Sequence, residues 1–145
     1  MNYSIKHLFH INTPIEVVFK ALTTIEDLSK WWTTETSGEA HAGGIIQFRF
    51  NGSESTDMKV TEFKENEMVS WACVASPWGW KGHHFSFQLD ENEGKTRVRF
   101  THGGWEEDGD FYAGCSFSWA RYMESLRQLC HTGKGEGLGT AGYRK

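Results

Sequence analysis

The chain has no surplus of basic residues. Fifteen Lys and Arg stand against nineteen Asp and Glu, a formal net charge of -4, so nothing supplies the cations that displace counterions from a phosphate backbone. That excludes nucleic acid as the expected partner. Cysteine is scarce and odd in number: Cys73, Cys115 and Cys130, with no C-x-x-C pair. This excludes a disulfide framework and fits reduced thiols in a cytoplasmic protein. Long apolar runs are missing too. The opening "MNYSIKHLFHIN" has neither the core of a signal peptide nor the length of a membrane span, so no membrane association is expected. The tight spacings of zinc sites, H-E-x-x-H or C-x-x-C, are also lacking, and adjacent His83 and His84 point to opposite faces of a strand. No metal, cofactor or catalytic nucleophile set is expected.

Aromatic residues, by contrast, make up 14% of the chain and include seven tryptophans, while proline is nearly absent. Large rings fill cores and also line pockets for apolar ligands. At 145 residues the chain suits a single domain with a real core.

The residues alternate between two periods. "YSIKHLFHI" reads as a first strand, and "NTPIEVVFKALT" as a helix with Thr13 at the N-cap, Pro14 at the first helical position, and Val17, Val18, Ala21 and Leu22 at helical spacing. "TTIEDLSKWW" gives a second short helix capped by Thr24, and "TSGEAHAGG" a turn-rich loop. From Ile45 the period becomes two. "IIQFRF", "TDMKVTEFKEN", "EMVSWACVA", "KGHHFSFQLD" and "KTRVRFTH" form an antiparallel meander of about five strands. Phe63 breaks the phase of the second. If Phe85 and Phe87 share a face with Val98 and Phe100, His83 falls opposite His102 on that face. From Asp110 the pattern is helical, with Phe117, Ala120, Met123, Leu126, Leu129 and Cys130 as its apolar stripe, widened by Trp119 and Tyr122. Asp108 or Asp110 would cap this helix and Gly133 would stop it. Residues 1–132 then form one domain, and the Gly-rich stretch 133–145 is expected to be a flexible tail.

"INTPIEVVFKALTTIEDLSKWW", "TRVRFTHGGW" and "WARYMESLRQLCHTGKG" resemble the family named after the C-terminal domain of the activator of Hsp90 ATPase, within the START-like, Bet v 1-like superfamily. The resemblance implies an α+β helix-grip fold: a curved antiparallel sheet around a long C-terminal helix, two short helices after strand 1, and a hydrophobic cavity between sheet and helix. It also implies a choice of functions. Superfamily members bind lipids, sterols, hormones and polyketides; some are cyclases or dehydratases, and others are co-chaperone modules. The Hsp90 activators it resembles carry a further N-terminal domain, which is not expected within these 145 residues.

The leading expectation is a binding protein for a small apolar molecule, monomeric or homodimeric and not catalytic. Its cavity wall would comprise Phe48, Phe50, Trp71, Trp80, Phe85, Phe87, Phe100, Trp119 and Met123, with His83 and His102 supplying polarity, since imidazole both donates and accepts near neutral pH. Of Trp31 and Trp32, one would pack inside and the other cover the cavity mouth. The alternatives are an Hsp90-directed interaction module and a cyclase- or hydrolase-type enzyme using the cavity histidines. "GLGTAG" at 137–142 matches G-x-G-x-x-G in form alone, because a helix precedes it and no helix can follow. Gly103 and Gly104 are expected to carry the chain sharply out of the sheet after His102, with Trp105 anchoring the way to the last helix.

Overall fold

The computed structural model describes residues 2–144. The chain runs β1 (Tyr3–Ile11), α1 (Ile15–Thr23), α2 (Ile25–Trp31), β2 (Glu35–Gly38), β3 (Ile45–Arg49), β4 (Thr56–Lys64), β5 (Met68–Ala75), β6 (His84–Asn92), β7 (Lys95–Trp105) and α3 (Asp110–Thr132). The seven strands make one curved antiparallel sheet in the order β1-β7-β6-β5-β4-β3-β2. The first strand therefore closes onto the last, and α3 lies across the concave face. This is the expected α+β helix-grip architecture.

Period-two alternation builds that face. Ile46, Met58, Val60, Trp71, Phe85, Phe87, Leu89, Val98 and Phe100 all point inward and are buried. On the outer face of β6 and β7, Arg97 donates two hydrogen bonds to the Asp90 carboxylate at 2.9 and 2.6 Å. The register skips a residue between Val60 and Glu62. This bulge reverses the side-chain parity, which explains the broken phase at Phe63: its ring packs at the sheet margin, 5.2 Å from that of Phe19.

Several local expectations need correction. Pro14, not Thr13, is the N-cap of α1, without a side-chain cap bond. Val17 faces solvent and Phe19 takes the inward position. Thr24 does cap α2, accepting from the Asp27 amide at 3.3 Å. Part of the expected turn-rich loop is the short strand β2, whose mostly exposed side chains carry no alternation to read. In α3 the N-cap is Gly109, and Asp110 is the first residue of the helix. Its buried stripe is Cys115, Trp119, Met123, Ser125, Leu126 and Leu129. Phe117, 68% exposed, and Ala120 lie off it, because each falls about 100° or more from the axis of the 3–4 spacing that these residues follow. Gly133 ends the helix in the left-handed conformation, its N–H donating to the Leu129 carbonyl at 2.8 Å.

The Gly-rich stretch expected to be loose has partners. Gly137 N–H donates to the Lys30 carbonyl and Leu138 N–H to that of Trp32, while the Leu138 carbonyl accepts from Thr34 N–H. Ser125 Oγ accepts from Glu136 N–H at 2.7 Å. A Cβ at Gly137 would lie 2.8 Å from the Lys30 carbonyl oxygen and 2.9 Å from the Trp31 carbonyl carbon. The glycine spacing of "GLGTAG" thus begins where backbone must approach backbone.

Candidate functional site

The stretch "FTHGGW" is strand throughout. β7 continues to Trp105, so the glycine pair lies inside the sheet instead of leaving it. Gly103 faces Ser4 on β1 and His84 on β6, and a side chain there would run into the His84 ring. Gly104 has φ +99°, and a Cβ on it would sit 3.1 Å from His83 Cα. Only glycine lets the strand pass this closely over the two histidines.

His83 and His102 do meet, by a register two residues away from the expected one. Phe85 lies opposite His102, and Phe87 opposite Phe100. Parity is preserved, so His83 reaches His102 diagonally, with His83 Nδ1 2.9 Å from His102 Nε2. On its other side His102 Nδ1 accepts from Trp119 Nε1–H at 3.0 Å. His102 is 0% exposed. Burial, with the two neighbouring histidines adding to it, pushes its pKa down to about 2. Burial lowers that of His83 as well, with His84 adding in the same sense and Glu106 opposing. Both imidazoles are neutral at pH 7.

Much of the expected cavity is filled with rings. Trp32 lies 4.3 Å from Phe48 and 4.9 Å from Trp119, centroid to centroid, and Phe100 lies 4.5 Å from Trp119. Phe48, Trp71, Phe85, Phe87, Phe100 and Met123 belong to this packed core. Trp31 is also internal, its indole N–H donating to the Ala21 carbonyl at 2.8 Å.

What stays open is a groove of about 180 Å³ at the mouth, between α3 and the loop before β6. Trp32, Phe50, Trp78, Trp80, Phe111, Cys115, Ser118, Trp119 and Tyr122 line it. Of the expected wall, Phe50, Trp80 and Trp119 reach the groove. Burial pushes the thiol pKa of Cys115 and the phenol pKa of Tyr122 up, so both stay protonated and uncharged there. Next to the groove, and sharing Phe111 with it, is a polar cleft of about 530 Å³. Lys81, His83, Trp105, Glu106, Glu107, Asp110 and Tyr112 are among its lining residues.

Sequence reasoning missed Phe111, Cys115 and Ser118 as wall residues. The signal for Phe111 and Cys115 was the four-residue step from Phe111 to Cys115 to Trp119, which sets the true phase of α3 and brings Ser118 beside it. Lys81 carried no signal, since a lysine in a loop reads as solvated.

The family model described as activator of Hsp90 ATPase homolog 1-like protein matches residues 12–131. The chain belongs to this family. The Aha1 dimer from Colwellia psychrerythraea, determined in solution, is 41% identical to this AHSA1-like domain, covering 92% of it and 99% of the Colwellia chain with a TM-score of 0.83. A crystallised protein from Staphylococcus saprophyticus, 20% identical, covers 92% of the domain and 95% of its own chain at a TM-score of 0.75. One from Mesorhizobium loti, also 20% identical, covers 89% and 97% at 0.77. These last two share the fold. A comparison with curated proteins returns no match. The AHSA1-like fold is compatible with a ligand-binding or interaction module, and no helix among the described residues is long and apolar enough to cross a membrane.

Proposed function

We propose that the protein binds a small apolar molecule in the groove between α3 and the loop carrying Trp78 and Trp80. The observation that carries this reading is the groove itself: about 180 Å³ of open space walled by aromatic rings from four parts of the chain. A dry engineered cavity of about 150 Å³ already holds a benzene ring. Each ring the guest covers removes apolar surface from water, at about 25 cal/mol per Å². The packed rings behind the groove hold its wall in shape, so little ordering opposes binding. The site is the mouth of the helix-grip, not its filled interior.

The test is a titration with N-phenyl-1-naphthylamine, a neutral apolar fluorophore. Saturable emission at one equivalent with quenching of tryptophan fluorescence is the expected result, and Phe111→Ser weakens it. Absence of saturable binding removes the reading.

A second reading follows from the family's description: an interaction module directed at Hsp90, with the open aromatic groove receiving a side chain of the partner. A stable complex with purified Hsp90 and altered ATP turnover would support it; no complex and unchanged turnover would remove it. Likeness to the Colwellia dimer further supports a homodimer, for which light scattering should return the mass of two chains.

A further inference from the structure

We infer that the ligand is an amphipathic molecule with a neutral oxygen head, and that His83 donates a hydrogen bond to that oxygen from the polar cleft. This rests on the groove as the seat of the apolar body. Groove and cleft are neighbours: Phe111 borders both, and Gly79 of the cleft lies between Trp78 and Trp80 of the groove. A molecule whose body lies on those rings and extends past Phe111 enters the cleft that His83 lines.

The tautomer follows from which groups can donate. An indole nitrogen only donates, so His102 Nδ1 accepts from Trp119. The neutral His102 ring must then carry its proton on Nε2, and that proton points at His83 Nδ1, 2.9 Å away. His83 Nδ1 therefore accepts, which leaves its own proton on Nε2. His83 Nε2 has no partner among the described residues, and His83 is one of the residues lining the cleft. Protonating His83 would set two N–H groups head to head across that 2.9 Å contact. The buried relay thus holds His83 as a neutral donor, and His102 is its positioning residue.

Charge selects the head. Lys81 and three carboxylates, Glu106, Glu107 and Asp110, line the cleft, an excess of negative charge that disfavours a carboxylate or phosphate. A neutral donor on an acidic rim suits a ketone, amide or alcohol oxygen.

The tautomer is read directly by long-range 1H–15N NMR of the wild-type protein. His83 Nε2 should give the protonated, pyrrole-like shift and Nδ1 the pyridine-like one; the reverse assignment overturns the inference. His102→Phe should lose this preference and show both tautomers. Binding is read by displacement of N-phenyl-1-naphthylamine with 2-decanone and with decanoate. The ketone should bind at least tenfold more tightly than the carboxylate. His83→Phe should lose roughly fivefold in ketone affinity, the worth of one net hydrogen bond, while His83→Gln, which keeps an N–H, restores part of it. If the fluorophore binds but both ligands bind alike, or His83→Phe leaves the ketone unaffected, the head assignment falls and the groove stands. If the fluorophore itself fails to bind, the groove reading fails and this inference goes with it.

Discussion

Lowering the pH should unfold this protein through His102 more than through its surface charges. In the folded chain the imidazole is wholly buried and its pKa lies at about 2; in the unfolded chain it returns to about 6.5. The unfolded state therefore binds a proton that the folded state refuses throughout the interval between those values. Stability from this group is complete above pH 6.5 and declines as pH falls below it. At pH 4.5 the interval traversed is about two units, and at about 1.4 kcal/mol per unit the loss is about 3 kcal/mol. His83, shifted the same way, adds to it. The control is His102→Phe, an aromatic of similar size that cannot titrate. At pH 7 the variant should be less stable by about 1–3 kcal/mol, because Trp119 Nε1–H loses its acceptor inside the core. Urea unfolding of both proteins at pH 7 and pH 4.5 cancels the carboxylates common to them. The wild type should lose about 3 kcal/mol more than the variant over that range, within a factor of two. Parallel losses would refute the neutral buried histidine.

Two further perturbations address the geometry around it. Gly103→Ala sets a methyl against the His84 ring and should cost about 1–3 kcal/mol; the double variant Gly103→Ala with His84→Ala should recover most of it, and additive losses would show that the ring is not the obstacle. Gly137→Val places side-chain atoms against the Lys30 and Trp31 backbone. It should release the segment, seen as faster hydrogen exchange at the Thr34 and Leu138 amides with α3 unchanged, whereas unaltered protection would mean that the segment is not held there.

The strands with a buried face were legible because alternation survives in them whatever their partners: Ile46 and Phe48, Met58 and Val60, Phe85 and Phe87 all face inward as expected. The same parity puts His83 and His102 on one face in either register. β2 was not legible, since an edge strand with exposed polar side chains is defined by backbone bonds that periodicity does not record. The phase of α3 was misread because Phe117 is apolar yet exposed, and a stripe through it pulls the helix face round. The glycine pair misled for a related reason. Glycine after a strand reads as an exit, but here it marks where the His84 ring and the His83 backbone press on the chain. As for the site, the sequence supplied the rings without their depth. Whether Trp32 or Phe50 borders open space depends on how the buried rings share one concave surface, and that is a matter of three-dimensional packing.

Intermolecular NOEs from a saturating neutral naphthyl probe locate a guest without relying on its affinity. Contacts from the naphthyl protons to the rings of Trp78, Phe111 and Tyr122 are expected, with Phe48 and Phe87 silent behind them. Contacts to those inner rings, or to the outer face of the sheet alone, would contradict a groove-bound ligand.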